Sequence, residues 1–213
     1  MSSSIADLRK DYKLLSLDSA DVDVDPIKQF QHWFDQALNA DLLEPNAMTL
    51  ATSTTDGRPS ARKVLLKGLD QRGFVFYTNY ESRKGKEILE NPYVALCFHW
   101  AELERQVRVE GMARKISRDE SEAYFKSRPF ESRIGAIASN QSAEVASREE
   151  LERQYATLLR DFEGKDVPMP DFWGGYVVEP HVVEFWQGRR GRMHDRLEYR
   201  KERNYWNITR LSP

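Results

Sequence analysis

The sequence predicts an α+β protein whose antiparallel sheet closes fully or half-way into a barrel, with helices inserted between the strands. Three observations carry this. Short strand-like runs follow one another across strong turn signals, Thr55-Asp56-Gly57-Arg58-Pro59 and Asp70-Gln71-Arg72-Gly73, in the manner of sequential hairpins. Helices with recognisable starts fall between groups of strands and do not alternate with them one for one, which argues against a doubly wound parallel sheet. Neither G-x-G-x-x-G nor G-x-x-x-x-G-K-[ST] occurs, so the two common phosphate-loop α/β folds have no support.

The elements follow in order. The first 24 residues are polar, with Ile5, Leu8, Tyr12 and Leu15 at helical spacing, and read as a short helix or an arm (1–24) ahead of a single domain (25–213). Asp25-Pro26 predicts a helix start, with Asp as N-cap and Pro at the first helical position. Ile27, Phe30, Trp33, Phe34, Ala37 and Leu38 recur every three or four residues, an amphipathic pattern running to about Leu43. Residues 47–54 alternate as a strand, 61–69 form a second and 74–78 a third. Ser82 to Asn91 reads as a short helix stopped by Asn91-Pro92. Strands follow over 93–100 and 104–116. Ser117-Arg118-Asp119-Glu120 and Ser147-Arg148-Glu149-Glu150 are capping boxes that open helices to about Ser127 and Phe162. Arg128-Pro129 breaks the first of these, and another helix starts at Pro129. Strands over 176–186, 193–201 and 205–211 close the chain.

Bulk properties narrow the function classes. The 213 residues hold 32 Lys and Arg against 34 Asp and Glu, a net charge of −2, which argues against a nucleic-acid or membrane-surface partner. One cysteine, Cys97, sits in the apolar run Tyr93-Val94-Ala95-Leu96-Cys97-Phe98 and reads as a small buried residue; a single thiol excludes an internal disulfide and fits a reducing compartment. No stretch is long enough to span a bilayer, and the N-terminus lacks a signal-peptide layout, so the expected location is cytoplasmic. His32, His99, His181 and His194 are scattered, with no metal-ligand spacing.

Four basic clusters carry the chemistry. Arg62-Lys63-Val64-Leu65-Leu66-Lys67 places cations within an apolar strand; this is either the solvent face of a two-sided strand or a ligand wall. Strict alternation sets Arg62 and Lys67 on opposite faces, so they serve one pocket only if the strand is interrupted. Tyr77-Thr78 followed by Ser82-Arg83-Lys84 puts two cations in the first turn of a helix, where the dipole disfavours them; free N–H groups, a hydroxyl and two cations make an anion site, most simply a phosphate site, or else this is an ordinary Ser cap with exposed cations. Tyr124, Arg128 and Ser132 are spaced by four and offer a second helix start, or a surface helix face. Last, Glu184-Phe185-Trp186-Gln187-Gly188 with Arg192-Met193-His194-Asp195-Arg196 is either a charged surface hairpin or a site for a flat anionic ligand, with Arg as planar fork, His as neutral-pH partner and Trp as wall. Gln106 and Gln141-Ser142 add groups for a heterocycle's edge. Two anion sites with aromatic walls point to two phosphorylated ligands. The scarcity of acid–base groups places the redox chemistry in a cofactor.

These runs, together with Phe76-Tyr77-Thr78-Asn79, Leu103-Glu104-Arg105-Gln106-Val107, Ser127-Arg128-Pro129 and Phe172-Trp173-Gly174-Gly175, resemble the pyridoxamine/pyridoxine 5′-phosphate oxidase family in order from Arg9 to Pro213. The resemblance implies an FMN-binding split β-barrel, antiparallel and Greek-key-like with surrounding helices, working as a homodimer with FMN at the interface. It implies oxidation of pyridoxamine 5′-phosphate or pyridoxine 5′-phosphate to pyridoxal 5′-phosphate, with dioxygen reduced to hydrogen peroxide. Carried over by motif, FMN meets Arg62, Lys63, Val64, Leu65, Leu66, Lys67, Tyr77, Thr78, Arg83, Lys84, Gln106, Gln141, Ser142, Trp186 and Arg196. The substrate meets Lys67, Tyr124, Arg128 and Ser132 through its phosphate, Arg192 and His194 at its ring, and Arg9 and Tyr12 as a lid. Two rival readings are another flavin enzyme on the same barrel and a non-enzymatic carrier of flavin or pyridoxal phosphate.

Overall fold

The computed structural model describes residues 11–213. Its architecture is α+β, as expected: nine strands and five α-helices among the described residues. The strands are β1 (Ala47–Ser53), β2 (Pro59–Leu65), β3 (Gly68–Asp70), β4 (Gly73–Asn79), β5 (Tyr93–Trp100), β6 (Arg105–Lys115), β7 (Trp173–Gln187), β8 (Asp195–Glu202) and β9 (Tyr205–Arg210). They hydrogen-bond in the order β2-β1-β5-β6-β7-β4-β3, with β8 pairing to β7 and β9 to β8. The β3–β4, β4–β7, β7–β8 and β8–β9 pairs are antiparallel. The helices are α1 (Pro26–Asn39), α2 (Arg83–Glu90), α3 (Arg118–Ser127), α4 (Phe130–Ala138) and α5 (Arg148–Asp161). None of the described helices is long and apolar enough to cross a membrane.

Two expectations need correction. Helix α1 stops at Asn39, short of Leu43, because Asp41 and Glu44 turn left-handed (φ 53° and 51°) where the chain reverses toward β1. The strand expected over 61–69 is two strands, β2 and β3, interrupted at Leu66-Lys67. Of the two readings of 1–24, a short helix or an arm, residues 11–24 carry no helix, and residues 1–10 lie outside the described residues. The capping boxes are formed as expected: Ser117 accepts from the Glu120 N–H at 3.1 Å and Ser147 from the Glu150 N–H at 3.2 Å, each satisfying a donor with no partner inside the helix.

The chain divides into two compact units. One comprises the residues up to Thr49 with Ala95–Gly111 and Pro180–Pro213. Its core forms where the apolar stripe of α1 (Ile27, Phe30, Trp33, Ala37) meets inward residues of β5, β7 and β8. Phe30 lies 4.8 Å from Phe98, centroid to centroid, and Trp33 meets Phe185 edge-on at 5.2 Å. The other unit comprises Leu50–Val94 and Met112–Glu179. There β4 is buried on both faces apart from Tyr77, and Phe125, Ile134, Val167, Met169 and Trp173 make a core under α3, α4 and α5.

Phe30 is fully buried. Truncating it removes about as much transfer and packing energy as any one ring here, so Phe30→Ala should cost about 3–5 kcal/mol. A lower urea midpoint with an unchanged m-value is the expected reading.

Candidate functional site

The second unit contains a pocket of about 820 Å³. Its wall is built from β2, the end of β4, the start of α2, the α3–α4 junction and the loop after α4. Of the residues expected in a site, it gathers Arg62, Lys63, Val64, Leu65, Lys67, Tyr77, Thr78, Arg83, Lys84, Gln141 and Ser142, together with Tyr124, Arg128 and Ser132. Arg62 and Lys67 share it because the strand is interrupted between them, the condition the alternation argument required. Six of the lining residues are cations, and none of those described is acidic.

At one end the charges are tightly organised. Ser82 caps α2, accepting from the Gly85 N–H at 3.3 Å. Lys84 in the first turn is buried, not a solvated surface cation. Its Nζ donates to Gln141 Oε1 at 3.0 Å and Thr78 Oγ1 at 3.3 Å, and it has no carboxylate partner among the described residues. Burial, with the charge of Arg62, lowers its pKa to about 8. Behind this wall lies Glu87, a buried carboxylate. It accepts from Ser60 Oγ at 2.6 Å, Arg83 Nε at 2.9 Å, Arg62 Nη2 at 3.3 Å and the Thr52 hydroxyl. Burial pushes its carboxyl up; the bonds from Ser60, Thr52 and Arg83 and the charge of Arg62 outweigh that and hold it at about 2. Arg62 is also tied to Thr52 Oγ1 at 2.5 Å and the Leu50 carbonyl at 3.2 Å. Two arginines are thus fixed from behind while a buried lysine faces only neutral oxygens. That arrangement matches a phosphate.

At the α3–α4 junction Arg128 is the C-cap of α3, and Ser132 lies in the first turn of α4, as the Arg-Pro break predicted. Nη1 of Arg128 is buried with no hydrogen-bond partner among the described residues. Burial lowers this guanidinium's pKa. An unpaired buried donor costs about 1–3 kcal/mol, which a bound anion would recover.

The first unit holds the remaining cluster. Trp186 and His194 lie 4.7 Å apart, and Tyr12 meets both edge-on at 5.6 Å. Gly188 makes room for it: a Cβ there would fall 2.7–2.8 Å from atoms of the Tyr12 ring. His194 Nδ1 accepts from the Arg189 N–H at 3.1 Å, so the neutral ring carries its proton on Nε2. Burial, then the charge of Arg192, lowers the His194 pKa and favours that neutral form. Arg192 itself is left-handed (φ 62°), a strained backbone of the kind that clusters at functional sites. Arg196 makes a two-pronged ion pair with buried Glu184, Nε–Oε1 2.9 Å and Nη2–Oε2 3.0 Å. Gln106 lies on β6.

Leu66, Gln106, Trp186 and Arg196 are not in the wall of the large pocket; Leu66 is buried. Arg9 lies outside the described residues. Ser60, Asn79, Ser139 and Trp173 line the pocket without having been expected. Ser60 carried a usable signal, since it precedes Arg62 by two and shares its strand face. Trp173 stood in the Phe172-Trp173-Gly174-Gly175 run, three residues ahead of the strand expected over 176–186, with no site role attached to it.

Comparison with known proteins assigns the family. Residues 34–159 match the model described as pyridoxamine 5′-phosphate oxidase, and residues 173–213 match the pyridoxine 5′-phosphate oxidase C-terminal dimerisation region. The chain belongs to the pyridoxamine 5′-phosphate oxidase family. A pyridoxine/pyridoxamine 5′-phosphate oxidase of Rubrobacter xylanophilus is 60% identical over 209 residues, 98% of this chain and 96% of that one. One from Trichormus variabilis is 57% identical over 214 residues, covering both chains completely. Among solved structures, PhzG from Burkholderia lata 383, in complex with tetrahydrophenazine-1-carboxylic acid, superposes with a TM-score of 0.90 at 34% identity, covering 96% of this chain and all of that one. The family's split-barrel sheet is the architecture described above.

The lowered pKa of Lys84 sets a pH dependence in this family member. Its charge is present below about 8 and is lost as pH rises through that value. Affinity for inorganic phosphate should therefore fall by up to about tenfold per pH unit above that point. Lys84→Met should flatten the profile, as read by calorimetry. Without ligand the sign reverses for stability: between about 8 and the ordinary lysine value the unfolded chain binds more protons, so this group's contribution rises with pH.

Proposed function

We propose that the protein oxidises pyridoxamine 5′-phosphate and pyridoxine 5′-phosphate to pyridoxal 5′-phosphate as an FMN enzyme, a homodimer with FMN at the subunit interface. The observation that carries this reading is the single pocket with a phosphate-matched set at each of two places: Arg62, Arg83 and Lys84 around α2, and Lys67, Tyr124, Arg128 and Ser132 around the α3–α4 junction. The buried Lys84 without a carboxylate and the unpaired Arg128 Nη1 fit phosphorylated ligands chemically.

FMN would be held by Arg62 to Lys67, Tyr77, Thr78, Arg83, Lys84, Gln141 and Ser142, with Gln106, Trp186 and Arg196 completing the set in the dimer. When bound, FMN supplies the two-electron acceptor that takes hydride from the substrate carbon bearing the amine or hydroxyl, and dioxygen carries the electrons on to hydrogen peroxide. The protein's residues position and polarise. Lys67, Tyr124, Arg128 and Ser132 fix the substrate phosphate, converting an encounter into a held geometry. Arg192 orients the pyridine ring, its backbone turn aiming the guanidinium. His194, neutral with its proton on Nε2, donates a hydrogen bond to the substrate and is not an obligatory base. Tyr12 would serve in the lid that the family resemblance implies; Arg9, its expected partner there, lies outside the described residues. The cations of the pocket stabilise the negative charge that develops during the reaction.

A second reading, an oxidase of another ring system, draws on the 34% identity to PhzG. The second phosphate-matched set weighs against it. A visible spectrum during anaerobic addition of pyridoxamine 5′-phosphate separates the two. Flavin bands that bleach and return with air support the oxidase of phosphorylated substrates. Bands that stay unchanged favour the other ring system. No flavin after reconstitution with FMN sinks both.

Arg192→Ala should lower kcat/KM by about a hundredfold or more, the scale of lost positioning. Bound FMN per chain should stay unchanged by absorbance. Parallel loss of both would assign Arg192 to cofactor retention.

A further inference from the structure

We infer that Trp173 is a positioning residue for the second anion subsite: its indole is the platform that sets Arg128 and Tyr124 toward an incoming phosphate. The inference rests on the function proposed above and adds a residue that reading leaves out.

Trp173 opens β7, where its Cα pairs with that of Asn79, and its ring is buried. Tyr77 pairs with Gly175, so Trp173 and Tyr77 are diagonal neighbours on one sheet face. Gly175 permits this: a Cβ there would fall 2.9 Å from Tyr77 Cε1. The rings of Tyr77 and Trp173 lie 11° from parallel with centroids 5.4 Å apart. Tyr124, from α3, stacks on Tyr77 at 3.8 Å and lies 6° from parallel with Trp173. One turn further along, the guanidinium carbon of Arg128 sits 4.9 Å from the Trp173 ring centre.

A guanidinium held over an indole face spends none of its N–H donors on that contact. That matches the unpaired Nη1 of Arg128. No carboxylate ties Arg128 among the described residues, so the aromatic platform, not an ion pair, sets its direction. An ion pair would compete with phosphate for the same donors; a π face does not. The hydroxyl of Tyr124 is placed by the same stack.

The test is steady-state oxidation of pyridoxine 5′-phosphate by the FMN-loaded dimer, comparing wild type, Trp173→Leu, Trp173→Phe, Arg128→Ala and the Trp173→Phe/Arg128→Ala pair. Losing the platform should raise KM about tenfold in Trp173→Leu while kcat changes less than about twofold, the size expected of one partly desolvated cation–π contact. Bound FMN should be unaffected. Trp173→Phe, which keeps a smaller π face, should raise KM only about threefold, and that factor should vanish in the Arg128→Ala background. A KM within about twofold of wild type for Trp173→Leu, or a loss confined to kcat, would overturn the inference. So would a Trp173→Phe factor that persists without Arg128, and this cycle decides alone if Trp173→Leu does not fold. The underlying phosphate reading fails differently, in that Arg128→Ala would itself leave KM unchanged.

Discussion

The constraint on which the pocket depends is the cost of bringing six cations to one wall that carries no acid among the described residues. Like charges at this spacing repel, and burial of Lys84 adds a desolvation penalty that lowers its pKa to about 8. Four of these charges, on Arg62, Arg83, Lys84 and Arg128, are held by something other than a carboxylate in the wall. Glu87 lies behind the surface and grips Arg62 and Arg83 from the rear. Neutral oxygens of Thr78 and Gln141 receive Lys84. An aromatic face carries Arg128. The unliganded pocket is destabilised locally by this design, and an anion that enters meets donors already aimed and not yet satisfied.

The same economy of acid–base groups runs through the other unit. Glu184 is buried and fully engaged by Arg196 and Arg108. His194 is pinned at Nδ1 by a backbone N–H and kept neutral by burial and by Arg192. Nothing in that cluster is arranged as a strong base. The residues hold and orient, which suits a reaction whose electron chemistry belongs to a cofactor.

Much of the site was readable from local chemistry. The Ser82-Arg83-Lys84 helix start, the Arg128-Pro129 break and both capping boxes depend on residues within four positions of one another, so their geometry follows from backbone rules alone. The relation of Arg62 to Lys67 was readable only as a condition, because an interruption at Leu66-Lys67 leaves no mark in residue periodicity. Trp173 was missed as a site residue because its partners, Tyr77, Tyr124 and Arg128, come from β4 and α3, far away in sequence.

By itself the sequence determined the α+β class, the element order, the helix starts and the chemical types that make a phosphate site, since these follow from propensity, capping and side-chain chemistry. Tertiary structure alone decided that α1 ends at Asn39, that Lys84 is buried and not solvated, that Glu87 sits behind two arginines, and that Arg128 rests on Trp173. The physical reason is common to the last three, whereas α1 ends on the local left-handed turns at Asp41 and Glu44. Burial, pairing and stacking are set by groups brought together across long stretches of chain, and local sequence carries no record of which distant side chain will be there.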